Sequence, residues 1–276
     1  MLDKIQSYFG LTTMPFGRAL APGMLFPSGD HAQAAARIGY GIATRGITVI
    51  TGEVGVGKTV AARAAIDRAE PARHHLIYIP DPTVAARGIY HHIVSALGGR
   101  PSFHNAALVP QARDALAAEA AERGRVPILC IDEAHLLSHD ALEALRLLTN
   151  HRLDTESPFA TILLGQPTLA TKMALGALAA LEQRITVRRT MTGMTSDETA
   201  GYIHHHLRLA GRSDPLFTDD AIAHIHHAGR GKPRGVNRLA IAALIAACAA
   251  AKNLVDEASA RSAVAETNHD PQPATP

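Results

Sequence analysis

Ile47-Thr48-Val49-Ile50-Thr51-Gly52-Glu53-Val54-Gly55-Val56-Gly57-Lys58-Thr59 decides the fold, because an apolar strand runs straight into a glycine-rich turn. The last eight residues fit G-x-x-x-x-G-K-[ST], and a helix is predicted to follow over 60–69. A strand that ends in glycines and opens into a helix aims successive backbone N–H groups and a helix N-terminus at one point, which suits a polyphosphate. Gly52, Glu53, Val54, Gly55, Val56, Gly57, Lys58 and Thr59 are therefore the expected nucleotide-binding residues. Lys58 is expected to reach the β- and γ-phosphates, and Thr59 to hold Mg²⁺ through its hydroxyl.

Pro127-Ile128-Leu129-Cys130-Ile131 is a second continuous apolar strand, ending in Asp132-Glu133. That is the pattern of a buried parallel strand with acids at its carboxyl end. Asp132 is placed to hold Mg²⁺ through water, and Glu133 to orient and deprotonate an attacking water.

Around these two motifs strand and helix patterns alternate. The spacing predicts a helix over 30–44, a strand over 75–80, a helix capped by Thr83 and running to Leu97, and a helix over 109–123. Ser138 is read as the cap of a helix whose Leu142, Leu145 and Leu148 share one apolar face. Further strands are expected over 159–164 and from Ile185. Beyond Thr195 the strand signal stops: Thr195-Ser196-Asp197-Glu198 is a capping box, Thr218 opens another helix, and helical patterns follow over 234–251 and 256–267. The expected fold is α/β, a parallel sheet with helices on both faces, followed by an all-helical domain. The domain reading is an N-terminal segment over 1–46 that completes the nucleotide pocket, a core over 47–194, a helical lid over 195–267 and a polar, proline-rich tail over 268–276 that does not pack.

Composition bounds the function. The 276 residues suit one large domain with a smaller appendage. Aromatics are only 4% and Trp is absent, which argues against a stacking platform for single-stranded nucleic acid. A formal charge of +2 neither demands nor opposes a nucleic-acid partner. Cys130 and Cys248 read as buried thiols in a cytosolic protein. No secretory signal is visible, and no apolar stretch is long enough to insert into a membrane. The run His204-His205-His206 cannot converge on one metal ion from a helix, since consecutive side chains point about 100° apart.

Taken together, the phosphate loop, Cys130-Ile131-Asp132-Glu133-Ala134-His135 and the helical C-terminal part resemble an AAA+ ATPase. Phe9-Gly10-Leu11, Pro15-Phe16, Leu163-Leu164-Gly165-Gln166-Pro167, Glu182-Gln183-Arg184-Ile185 and Gly231-Lys232-Pro233-Arg234-Gly235-Val236-Asn237-Arg238-Leu239 are similar to the ExeA-type ATPases. That group includes secretion-pathway ATPases and the transposition helpers related to TniB, TnsC and MuB. The resemblance implies ATP and Mg²⁺ as cofactors, ATP hydrolysis, and self-assembly into an ATP-dependent oligomer. It places Gln166 as the side chain that reads the γ-phosphate and the attacking water. It also places Arg184 as the finger that completes a neighbouring subunit's site, with Arg188 and Arg189 left open, and Arg234 as the lid arginine on the nucleotide. Phe16, Leu25 and Phe26 are candidates to wall the adenine.

The secretion-type relatives carry a membrane segment and a further domain after the ATPase, whereas this sequence ends soon after the helical part. The expectation is therefore a transposition helper that assembles on duplex DNA and recruits or stimulates a transposase. A secretion accessory or a nucleotide-gated adaptor is the alternative. Between Arg184 and Arg261 there are 11 Lys/Arg against 7 Asp/Glu, a surplus of 4 that suits either DNA phosphates or a solvated helical face.

Overall fold

The computed structural model describes residues 2–17, 20–83, 85–150 and 157–269. Two compact units result. One comprises His31–Val54 and Lys58–Met191; the other comprises the chain up to Asp30, Gly55–Gly57 and the chain from Thr192 onward. This division departs from the boundaries read in the sequence: the first 46 residues are shared between the units, and three loop glycine-region residues join the helical one.

The first unit is built on a five-stranded, wholly parallel sheet. Its strands are β1 (Ile47–Gly52), β2 (His74–Ile79), β3 (Val126–Ile131), β4 (Ala160–Gly165) and β5 (Ile185–Met191), in the order β2-β3-β4-β1-β5. The three central strands β3, β4 and β1 are the continuous apolar runs, buried almost throughout, as a sheet covered on both faces requires. The edge strand β5 instead alternates between half-buried and exposed residues.

Helix α2 (Gly29–Ala43) leads into β1, and α3 (Lys58–Ile66), α4 (Ala86–Ala96), α5 (Asn105–Ala121), α6 (His139–Leu148), α7 (Pro167–Met173) and the short α8 (Ala179–Glu182) connect the strands. In α6 the Ser138 hydroxyl accepts from Ala141 N, and Leu142, Leu145 and Leu148 are all buried. Each such leucine contributes about 1.5–3 kcal/mol through removal of apolar area from water. Thr83 does not cap α4. The Asp81 carboxylate accepts from Thr83 N at 3.0 Å, which closes an Asx turn, and the helix begins only after Ala85. Helix α5 begins four residues before the expected Val109, so Pro110 lies inside its second turn rather than at its start.

The helical unit consists of α1 (Leu2–Phe9), α9 (Ser196–Leu209), α10 (Asp219–Gly229), α11 (Pro233–Ala249) and α12 (Glu257–His269). The capping box at α9 is complete. Thr195 Oγ1 accepts from Glu198 N, Glu198 Oε2 accepts from Thr195 N, and Glu198 Oε1 also accepts from Gly29 N at 2.6 Å. At α10 the Thr218 hydroxyl caps the helix by accepting from Ala221 N. Buried alanines line α11 and α12 (Ala240, Ala243, Ala247, Ala260, Ala263), so the two helices approach closely. Helix α12 extends past the expected Thr267 to His269, and residues 270–276 lie outside the described part of the chain. Among the described residues, no helix is long and apolar enough to cross a membrane.

Candidate nucleotide-binding and hydrolysis site

Strand β1 ends at Gly52, and Lys58 is already the first residue of α3. Between them Gly55 and Gly57 have φ of 87° and 101°, a left-handed backbone that glycine adopts without Cβ strain. These two residues turn the chain tightly enough for the loop amides to converge. Lys58 is buried, and its ammonium donates to Gly52 O at 2.8 Å and Glu53 O at 3.1 Å.

Strand β3 delivers the acids. Thr59 Oγ1 donates to Asp132 Oδ2 at 2.7 Å, so the residue after the loop lysine meets the acid at the end of β3. Asp132 is buried and also receives Tyr78 OH at 3.3 Å and Glu133 N at 2.9 Å. Burial, then the negative charge of Asp132, pushes the Tyr78 phenol up to about 12, so it stays protonated as a donor. Burial likewise pushes the Cys130 thiol up to about 12, leaving it an inert core side chain. Cys248, expected to be buried, is only half-buried.

Glu133 has φ 49° and ψ 35°, a left-handed conformation that costs a non-glycine residue about 1–2 kcal/mol. Such strain persists only where surrounding bonds over-determine it. Here the Asp132 carboxylate holds the Glu133 amide, and Glu133 O accepts from Leu136 N in the helical turn Ala134–Leu136. Glu133 Oε2 stands 3.3 Å from His135 Nδ1, and neither buried atom makes a hydrogen bond. A hydroxyl from the first turn of α3 and a carboxylate just after β3 are the hard oxygen donors that Mg²⁺ takes, so Thr59 and Asp132 fit that ion.

Gln166 directly follows β4 and occupies the N-cap position of α7. Since β4 lies between β1 and β3, the carboxyl ends of three adjacent strands carry Gly52, Gln166 and Asp132 along one edge of the sheet. Arg184 lies elsewhere. It precedes β5, whose first residue pairs with Ile47 and whose last pairs with Gly52. At about 3.3 Å per residue this places Arg184 roughly 20 Å along the strand from the phosphate loop. There Arg184 Nη1 donates to Thr149 Oγ1 at 2.9 Å, close enough to Glu143 to help lower its carboxyl below the usual range, after the larger effect of Arg146. Arg188 pairs with Glu182 at 3.1 Å, and Arg189 sits opposite Ile50 in β5.

In the helical unit, Arg234 is the second residue of α11, and its backbone N–H donates to Gly55 O at 3.2 Å. A Cβ on Gly55 would stand 2.9 Å from Arg234 Cβ, so that position admits only glycine without a shift. Phe16 departs from the adenine expectation: it is 3% exposed in the core of the helical unit, stacked on His206 at 5.2 Å and edge-on to Phe217. Phe26 packs against Tyr202 and His205 in the same unit. The three consecutive histidines diverge as helical geometry requires: His206 is buried, and His205 Nε2 meets Met24 O at 2.8 Å.

Sequence reasoning passed over Tyr78 and Lys172. Lys172 lies in the last turn of α7, and its ammonium donates to His135 O and Leu137 O just past Glu133.

The sheet order, the phosphate loop and the acids of β3 together define the AAA+ P-loop NTPase fold. Residues 42–173 match the AAA domain family. Over 246 residues the chain is 33% identical to the General secretion pathway protein A of Aeromonas hydrophila, covering 88% of this chain and 44% of that protein, so it spans less than half of that relative's length. Solved structures with the same fold include Cdc6p from Pyrobaculum aerophilum, with a TM-score of 0.70 at 14% identity over 95% of this chain and 70% of that one. Another is the Drosophila ORC bound to DNA, with a TM-score of 0.65 at 16% identity over 97% and 66%. The Thermotoga maritima RuvB Holliday junction branch migration motor gives a TM-score of 0.58 at 19% identity over 90% and 74%.

Proposed function

We propose that this chain binds ATP in the loop Gly52 to Thr59 and hydrolyses it with Glu133 as general base, in an assembly where a neighbouring subunit completes the site. The observation that carries the reading is the 2.7 Å bond between Thr59 Oγ1 and Asp132 Oδ2, with Glu133 fixed one residue further on. The loop amides and Lys58 would bind the phosphates. Thr59 and Asp132 would hold Mg²⁺, which neutralises charge on the phosphate oxygens. Glu133 would orient a water and take its proton, while Gln166 reads the γ-phosphate from the middle of the same sheet edge. Arg234, whose backbone N–H meets Gly55 O, would serve as the lid arginine that the resemblance implies.

Arg184 is too far from its own loop to serve it, so its only catalytic use is in trans. A cation supplied across an interface stabilises the transferring phosphoryl group only in the assembled state, which makes hydrolysis a report of assembly.

For the client, two readings each have support. The 33% identity to a general secretion pathway protein favours an accessory ATPase that acts on a protein partner of a secretion system. The basic surplus from Arg184 to Arg261 and the resemblance to transposition helpers favour an assembly on duplex DNA that recruits a transposase.

Nucleotide titration and turnover assays on the wild type and Glu133→Gln test the chemistry. The variant is expected to keep ATP affinity and lose hydrolysis; turnover at the wild-type rate would sink the base assignment. Duplex-DNA binding at low and moderate salt, with ADP and with a slowly hydrolysed ATP analogue, tests the client. Salt-sensitive binding in the ATP-like state supports the transposition reading, and its absence in every nucleotide state leaves the secretion reading.

A further inference from the structure

We propose that Lys172 is a positioning residue for Glu133, joining the helix that starts behind Gln166 to the turn that carries the base. The inference rests on the hydrolytic reading above. Lys172 Nζ donates to His135 O at 2.6 Å and to Leu137 O at 2.8 Å. The turn's internal bonds run from Leu136 N to Glu133 O and from Leu137 N to Ala134 O. Carbonyls at the C-terminal end of a helical turn lack donors within the turn, and a cation there also answers the negative end of its dipole. Lys172 therefore fixes, from a different element, the backbone immediately after a residue held in a left-handed conformation.

The side chain of Glu133 depends on the same turn. Its Oε2 lies 3.3 Å from His135 Nδ1, so the carboxylate stands within ion-pair distance of the residue whose carbonyl Lys172 holds. The other end of the link is equally firm. Helix α7 is anchored by Leu169 and Met173, 0% and 1% exposed. A Cβ on Gly165, at the end of β4, would stand 2.7 Å from Leu169 Cδ2 and 3.2 Å from His135 N. The end of β4, α7 and the turn are thus packed without slack, and a displacement at Gln166 passes to Glu133 rather than being absorbed. In this arrangement the residue that reads the γ-phosphate and the residue that activates water move as one body.

A lysine that merely stabilised the turn would affect folding and not the partition between binding and turnover. Lys172→Met should lower kcat about tenfold or more, as small misplacements of a reacting group do, with ATP affinity changed less than about twofold. Lys172→Arg, which keeps a cationic donor, should recover most of the rate. In a Glu133→Gln background Lys172→Met should remove almost nothing further, because both changes act through the same carboxylate. If Lys172→Met does not fold, Lys172→Gln gives the same comparison with a shorter, neutral side chain. An unchanged kcat in the folded variant, or an undiminished further loss in the Glu133→Gln background, overturns the proposal. The two readings separate cleanly: hydrolysis by Glu133→Gln at the wild-type rate refutes the base itself, whereas an inactive Glu133→Gln beside a fully active Lys172→Met refutes only the link.

Discussion

Thr59 Oγ1 and Asp132 Oδ2, 73 positions apart in the chain, meet at 2.7 Å. One belongs to the first turn of α3 and the other follows β3, and the parallel sheet brings these ends to a common edge. A hydroxyl and an ionised carboxylate so close share a single bound cation readily. Asp132→Asn keeps an oxygen acceptor for Thr59 but removes the charge. The variant should therefore need at least about tenfold more Mg²⁺ for half-maximal hydrolysis, while metal-free nucleotide binding changes little. A Mg²⁺ titration of turnover checks this; an unchanged midpoint would place the ion elsewhere.

Arg184→Ala should leave ATP binding by the isolated subunit intact and abolish assembly-dependent hydrolysis. Lys58→Ala should lose most ATP affinity, because the triphosphate loses its main point charge. Mixtures of the two variants should regain partial activity, since each supplies what the other lacks at a mixed interface. Mixed assemblies that remain inactive would remove the trans role from Arg184 and direct attention to Arg188 and Arg189.

His206 gives the helical unit a predictable acid weakness. Burial, followed by the charge of His205, pushes its imidazole down to about 4, and it stacks on Phe16 in that unit's core. The folded value lies below the unfolded value near 6.5, so between these two the unfolded chain binds a proton that the folded one does not. Stability should therefore fall as pH drops from about 6.5 to about 4, by an amount on the order of 3 kcal/mol. Urea unfolding across this range should show the slope in the wild type and a flatter profile in His206→Leu; equal slopes would place the weakness in another group.

Glu119 is a buried carboxylate away from the nucleotide site. Its side chain is fully buried, with His75 Nδ1 at 3.0 Å, Arg123 Nη1 at 2.7 Å and Arg125 Nη2 at 2.7 Å. Burial alone raises its carboxyl, but hydrogen bonds from Arg123 and His75 and the charge of Arg125 outweigh it and hold it below the usual range. This contribution is present above the unfolded value near 4.3 and is lost as pH falls through the lower folded value. Glu119→Gln should cost about 2–3 kcal/mol at pH 7, below the full value for a broken buried pair because the arginines are partly solvated. The denaturant midpoint reports it, and a change under about 0.5 kcal/mol would show that the cluster is energetically idle.

The sequence alone determined the phosphate loop, the acid pair after β3, the alternation of strand and helix, the capping box at Thr195 and the cap at Thr218. All of these are local: a glycine spacing, an apolar run, or a cap three residues from its partner is written along contiguous chain, where a side chain's preference and its neighbours' pattern agree. Only the tertiary structure decided that β4 lies between β1 and β3, which places Gln166 between the loop and the acids. It alone buried Phe16 in the helical core, put Arg184 at the far end of β5, and set Lys172 on the turn behind Glu133. Strand order and long-range hydrogen bonds arise from how separate elements bury their apolar faces together. The residues that meet through such packing carry no mark of it in their own neighbourhoods, so nothing beside Lys172 in the chain announces the carbonyls it meets.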